Sequence, residues 1–130
     1  ADQGVGAIPW SPLAAGLVTR PWGESSTTRS RSNPRADPSG RPLWLETDKG
    51  TVDAVQAIAE ARDVSMAQIA LAWVLHNPVV SAPIVGATKP HHLADAAAAL
   101  AVHLTGEEVA ALEEHYTPRL PTYYGTKSGF

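Results

Sequence analysis

Apolar residues along this chain recur with two different periods, and the switches between them mark its elements. Val52, Val55, Ile58 and Ala59 follow Asp48 at helical spacing, which predicts a helix that starts near Asp48, ends near Arg62-Asp63 and carries one apolar stripe. Ser65-Met66-Ala67-Gln68 opens a second helix. Serine followed three residues later by glutamine is a capping-box pattern, in which each side chain satisfies a first-turn N–H that has no partner inside the helix. Met66, Ile69, Ala70 and Trp73 line one face of this helix, and Leu71, Val74 and Leu75 surround it, so burial on more than one side is expected. Asn77-Pro78 ends it, because proline pushes the preceding residue out of helical conformation. From Pro90, Leu93, Ala97 and Leu100 share a face. Thr105-Gly106-Glu107-Glu108 is a second capping box, after which Val109, Leu112 and Tyr116 are spaced for packing.

Two runs lack the helical period. Val5 to Ile8, followed by Pro9-Trp10, and Val79 to Val85 are short and apolar, like buried strands of a parallel sheet. Pro9 has no N–H to give a ladder, so the first strand is placed over Val5 to Ile8 with Trp10 at its carboxyl edge. The order strand, long loop, helix, helix, strand, helix, helix is the α/β alternation of a parallel sheet with crossover helices. Two strands offer the apolar helix around Trp73 little to pack on. A further portion upstream is therefore expected, with Val5, Ile8, Ile84 and the Trp73 helix exposing apolar surface where it would sit. The start at Ala1-Asp2-Gln3-Gly4 fits a chain entering mid-fold. Residues 19–44 turn to Pro, Ser, Arg and Gly, a long loop whose arginines at 20, 29, 31, 35 and 41 face only Glu24 and Asp37. It reads as a solvated segment, with a lid over an anionic ligand as the alternative, and Trp22 and Trp44 stand at its ends. Residues 117–130, with Pro118 and Pro121, have no period and read as a C-terminal arm after a domain over residues 1–116.

Composition narrows the partners. A chain of 130 residues with 44% hydrophobic and 18% charged residues is about one globular domain, and its net charge of -3 offers no general attraction to nucleic acid or to an acidic membrane. No cysteine is present, which excludes a disulfide framework and thiolate metal ligation and suits a reducing, cytoplasmic setting. No apolar run nears the ~20 residues that span a bilayer.

Candidate chemistry concentrates at two turns. Around Pro83-Ile84-Val85-Gly86-Ala87-Thr88-Lys89-Pro90-His91-His92-Leu93 a strand gives way to a helix with proline in its first turn. The first-turn N–H groups and the helix dipole favour an anion there, and Thr88, Lys89 and His92 add a hydroxyl, a cation and an imidazole, the make-up of a phosphate site. The alternative is that Thr88 caps the helix and Lys89 is solvated. Ser11-Pro12-Leu13-Ala14-Ala15-Gly16-Leu17 is a compact turn of small residues that could bring backbone amides to a ligand, or a plain connection. Histidines 76, 91, 92, 103 and 115 form no H-E-x-x-H pair, and there is no Gly-x-Ser-x-Gly elbow, Walker loop or Gly-x-Gly-x-x-Gly. His91 and His92 are adjacent, and adjacent helical positions do not share a face, so a two-histidine metal site is not expected.

Three stretches in this order resemble the C-terminal part of an aldo-keto reductase: Ile8-Pro9-Trp10-Ser11-Pro12-Leu13-Ala14-Ala15-Gly16-Leu17-Val18-Thr19, Ser65-Met66-Ala67-Gln68-Ile69-Ala70-Leu71-Ala72-Trp73-Val74-Leu75, and Pro83-Ile84-Val85-Gly86-Ala87-Thr88-Lys89, with Leu93 and Leu104-Thr105-Gly106-Glu107-Glu108 behind them. The resemblance covers residues 4 to about 116. It implies the α/β class and a (β/α)8 barrel of about 250 residues or more, of which this chain would hold the last two strands and their helices. It implies NADP(H) as cofactor and a small carbonyl compound as substrate. Trp10 matches the aromatic that stacks on the nicotinamide, with a strand-end anchor as its other role. Ser11, Leu13, Gly16, Thr19 and Arg20 match the segment at the pyrophosphate. Gly86, Ala87, Thr88, Lys89 and His92 match the 2′-phosphate segment, and Asp95 matches the carboxylate that accepts from the adenine amino group. The family commonly has arginine or glutamine in place of His92 and asparagine in place of Ala96. Its catalytic Asp, Tyr, Lys and His lie on earlier strands, so no catalytic residue is assigned here, and the upstream portion or a partner chain would supply them. A non-catalytic remnant or interaction module is the second reading.

Overall fold

The computed structural model describes residues 3–24 and 45–118. The stretch with Arg29, Arg31, Arg35, Arg41 and Trp44, and the arm beyond Pro118, lie outside the described residues. Helix α1 spans Lys49–Arg62, α2 Met66–His76, α3 Pro90–Ala98 and α4 Gly106–Glu113, with short 3-10 turns at Ala14–Thr19, Glu46–Asp48 and Ala99–Ala101. No helix among the described residues is long and apolar enough to cross a membrane.

Helix α1 follows its sequence pattern closely. Its buried residues are Val52, Val55, Ile58 and Ala59. Asp48 sits at its start, but the carboxylate accepts the N–H of Leu45 at 2.8 Å rather than one in the first turn. Lys49 and Asp53 pair one turn apart on the exposed face. The helix ends because Asp63 adopts a left-handed conformation (φ 52°), which lets the Val64 N–H reach the Ala59 carbonyl at 3.1 Å.

The α2 cap forms only by half. Ser65 Oγ accepts the Gln68 N–H at 3.2 Å. The Gln68 side chain does not return to Ser65; it crosses to α3 and donates to Asp95 Oδ1 at 3.1 Å. Burial takes in Met66, Ile69, Ala70, Leu71 and Ala72, whereas Trp73 lies 42% exposed with its indole N–H donating to Glu113 at 2.9 Å. The indole N–H needs a polar partner, and the surface beside α4 offers one that the core does not.

Val52, Val55, Ile58 and Ala59 of α1, Met66 and Ile69 of α2 and Leu112 of α4 form one core, flanked by Leu17, Val18, Trp22, Val64, Val102 and Leu104. Helix α4 is held to α1 by charge as well. Thr105 and Glu108 make a complete capping box, with Thr105 Oγ1 accepting the Glu108 N–H at 3.2 Å and Glu108 Oε2 accepting the Thr105 N–H at 2.7 Å. The same carboxylate receives Arg62 Nε and Nη2 at 2.6 Å each, and Nη2 also donates to the His103 carbonyl at 3.0 Å. The Arg62 hydrogen bond, and after it the Thr105 N–H, lower the Glu108 carboxyl to about 2. At the far end of the same interface α1 presents Gly50 to His115, where a Cβ would stand 2.5 Å from the ring Cγ and 3.0 Å from the histidine Cβ.

The two expected strands are reduced to isolated parallel bridges, Ala7 opposite Val80 and Trp10 opposite Ile84. The Ala7 N–H donates to the Val79 carbonyl at 2.7 Å, the Ser81 N–H to Ala7 at 2.8 Å and the Ile84 N–H to Pro9 at 2.8 Å. The bridges are three residues apart on one segment and four on the other, so the pairing loses register between them, and Pro9 and Pro83 have no N–H to restore it. Val5, Ile8 and Ile84 are exposed, Val5 by 70%. Along α3 and the Ala99–Ala101 turn that continues it, the Leu93, Ala97 and Leu100 face also lies open, and burial falls on Ala99, with Asp95 and Ala96 half-buried. Small residues let α3 approach α2 closely; the leucines point the other way. Tyr116 is likewise exposed.

Two outcomes follow. Because the folded-state value of Glu108 lies below its usual 4.5, its contribution to stability is present above about pH 4.5 and is lost as the pH falls toward about 2. Urea denaturation across that window should show a falling midpoint in the native chain and a flatter profile in Glu108→Gln. Gly50→Ala should destabilise the protein despite a helix-propensity gain of up to ~1 kcal/mol, and the sign should reverse in a His115→Gly background, where the ring and its Cβ are both gone.

Candidate functional site

Three segments far apart in sequence enclose a cavity of about 390 Å³: the turn from Ser11 to Arg20, the first turns of α2, and the stretch from Val85 to Asp95. That is the size of a small-ligand pocket. Of the residues singled out in the sequence, Ser11, Leu13, Gly16, Thr19, Arg20, Gly86, Thr88, His92 and Asp95 line it. Trp10 and Lys89 do not; Trp10 sits at its bridge to Ile84, and Lys89 is the exposed N-cap of α3.

The first wall is a strained turn. Ser11 (φ 53°), Ala14 (φ 49°) and Ala15 (φ 56°) join Gly16 (φ 95°) in the left-handed region, which only glycine occupies freely. Hydrogen bonds hold it there: the Ala14 N–H donates to Ser11 at 3.0 Å and the Gly16 N–H to Leu13 at 2.8 Å. The Gly16 carbonyl then accepts Thr19 Oγ1 at 2.9 Å and Arg20 Nε at 3.3 Å, while Arg20 Nη2 donates to Thr19 Oγ1 at 3.2 Å. One carbonyl thereby orients both the hydroxyl and the guanidinium of this wall.

The second wall is the entry to α3. Lys89 is extended (φ -139°) and makes no side-chain cap, and Thr88 lies before the cap. His92 instead folds back over the residue before the cap, so that Nδ1 accepts the Thr88 N–H at 3.3 Å, with Thr88 Oγ1 at 3.5 Å. His91 also lines the cavity, and its ring meets that of His92 edge to face with centroids 4.5 Å apart. Adjacency in sequence thus did not separate the two imidazoles, because in the first turn of α3 one of them is drawn back over the turn. No group of three or more histidine and carboxylate side chains converges to hold a metal among the described residues.

The cavity gathers hydroxyls, a guanidinium, two imidazoles and one carboxylate over a partly apolar lining that includes Leu71 and Val85. The strongly lowered carboxyl, Glu108, belongs to the α1–α4 clamp and not to this wall. Such a set offers hydrogen-bond donors and a cation to a polar, anionic molecule. His91, Ser65 and Ala67 also line it without having been singled out, and only the helical offset that puts Ser65 and Ala67 at the start of α2 beside α3 could have suggested the last two.

Residues 1–117 match the sequence profile of the Aldo/keto reductase family. The chain is 41% identical over 118 residues to versiconal hemiacetal acetate reductase of Aspergillus parasiticus, covering 91% of this chain and 34% of that protein. It is 40% identical over 119 residues to a putative aryl-alcohol dehydrogenase of Saccharomyces cerevisiae, covering 88% and 33% respectively. A putative voltage-gated potassium channel subunit beta of Schizosaccharomyces pombe is 33% identical over 122 residues, covering 88% and 36%. The chain spans about a third of the length of these relatives.

The strained wall yields a measurable expectation. Ala15→Gly should stabilise the protein by about 0.5–1 kcal/mol in chemical denaturation, since glycine removes a Cβ penalty of about 1–2 kcal/mol in the left-handed region and gives part of it back as unfolded-state entropy.

Proposed function

The chain belongs to the aldo/keto reductase family, and from that premise we propose that it is the dinucleotide-holding part of a cytoplasmic NADP(H)-dependent reductase that converts aldehydes or ketones to alcohols. In this reading the paired segments around Ala7 and Val80 are the last two strands of a (β/α)8 barrel, completed by the upstream portion or by another chain. The observation that carries it is the convergence of the Ser11–Arg20 turn and the Val85–Asp95 stretch on one cavity. The donor set fits the group. Arg20 with the Ser11 to Gly16 turn would face the pyrophosphate, Thr88, Lys89 and His92 the 2′-phosphate, and Asp95 the adenine amino group. Trp10, mostly exposed at the carboxyl edge of its segment, would flank the nicotinamide ring. NADPH supplies the hydride when bound; these residues hold and orient it, and the proton donor lies outside this chain. The 130 residues alone would bind without turning over.

A second reading, a dinucleotide-binding interaction module without catalysis, draws on the relative named as a channel subunit beta. The same cavity would serve it.

Lys89→Ala in the full-length protein tests the phosphate assignment. A charge-assisted contact is worth roughly 1.5–3 kcal/mol, so NADPH affinity should fall by roughly 10- to 150-fold while NADH binding barely changes, with the gap narrowing as salt screens the exposed charge. Titration by tryptophan fluorescence quenching reads both. Equal losses for the two cofactors would make Lys89 a support of the turn instead.

A further inference from the structure

Gln68 occupies an unusual place in this site. Its neighbours Ala67 and Leu71 line the cavity and Gln68 does not. Its backbone is pinned in the first turn of α2, where its N–H reaches Ser65 Oγ at 3.2 Å and the Ser65 carbonyl at 3.0 Å. With the backbone so held, the side chain has two options: to close the capping box on Ser65, or to reach outward. It reaches outward, 27 residues along the chain, and its amide donates to Asp95 Oδ1 at 3.1 Å in a half-buried contact.

We infer that Gln68 is a positioning residue which, by donating to one oxygen of Asp95, aims the other at the cavity and makes the site select a ligand base that carries an amino donor. The inference rests on the reading of Asp95 as the acceptor for adenine. The chemistry is directional. A carboxylate only accepts, so the amide presents its NH2, and Oδ1 is committed to it. Two side-chain torsions of Asp95 are thereby tied to the start of α2, and the remaining oxygen faces the ligand from a fixed direction instead of turning freely. An adenine N6–H meets an acceptor there. A 6-oxo group in the same position meets a carboxylate oxygen and is repelled, whereas a carboxylate free to turn could find the adjacent N1–H of a hypoxanthine. Gln68 therefore bears on the preference between the two bases, not merely on affinity.

The experiment compares NADPH with its hypoxanthine analogue, reduced nicotinamide hypoxanthine dinucleotide phosphate, by calorimetric titration of the full-length protein. The quantity read is the ratio of the two affinities, which a general loosening of the fold does not move. Wild-type protein should favour the adenine form by about tenfold or more, and Asp95→Ala should erase that preference. Gln68→Leu should lower it by roughly three- to tenfold, the range a single hydrogen bond commands, and should change nothing further in the Asp95→Ala background. Gln68→Met, of similar length but without the N–H donor, should match Gln68→Leu and guards against a packing artefact. A preference lost in Asp95→Ala but intact in both Gln68 variants overturns the inference and leaves the adenine contact standing. A wild-type protein that does not distinguish the two forms overturns the Asp95 reading, and the inference with it.

Discussion

The middle of helix α2 has to be covered on more than one side, and the arrangement of the chain follows from that. Ile69, Ala70, Leu71 and Ala72 are consecutive and all buried, so no single packed face could cover them. Full burial of a side chain such as Ile69 or Leu71 contributes about 1.5–3 kcal/mol, and it is obtained only if neighbours close on α2 from several directions. They do: α1 on one side, α3 and the Ala99–Ala101 turn on another, and the Ala14–Thr19 turn over a third. The start of α2 is thereby the meeting point of the two turns that wall the cavity. The cavity is a by-product of covering one helix.

Charge then decides which of the possible packings is kept. Arg62 stands at the end of α1 and Glu108 in the first turn of α4, and a bidentate pair between them also completes the α4 cap and takes up the His103 carbonyl. One carboxylate serves three donors, so a slip of α4 along α1 would strand a charge, a cap and a backbone carbonyl together. Removing one partner of such a half-buried network is more damaging than the pair is stabilising. The close contact of Gly50 with His115 fixes the opposite end of the same interface through shape alone. Between these two points Leu112 reaches the α1 stripe.

At the cavity the local preferences of the chain are overridden rather than followed. Alanines occupy left-handed backbone where glycine would be easier, a histidine folds back from its helix onto the N–H of Thr88, and a glutamine leaves its capping box. Conflicts of this kind gather where a backbone must present particular atoms to a ligand. The apolar residues Val5, Ile8, Ile84, Leu93 and Leu100 stay exposed, which leaves an edge of the described residues with its hydrophobic side outward.

The sequence by itself determined whatever depends on neighbours within about one helical turn. The α1 stripe, the Ser65 and Thr105 caps, the stop at Asn77-Pro78 and the proline-led start of α3 are local, and spacing alone gave their positions. The grouping of Ser11 to Arg20 with Gly86 to Asp95 came from resemblance to a family, not from periodicity. Tertiary structure decided the rest. It chose the alanine side of α3 over the leucine side, because close approach to α2 needs small residues. It left Trp73 at the surface, where the indole N–H could be satisfied, and it reduced the two strands to bridges, because prolines and a one-residue mismatch broke their register. It turned Gln68 from its cap toward Asp95. Each of these is a choice between partners of similar local merit, and only the three-dimensional neighbourhood distinguishes them.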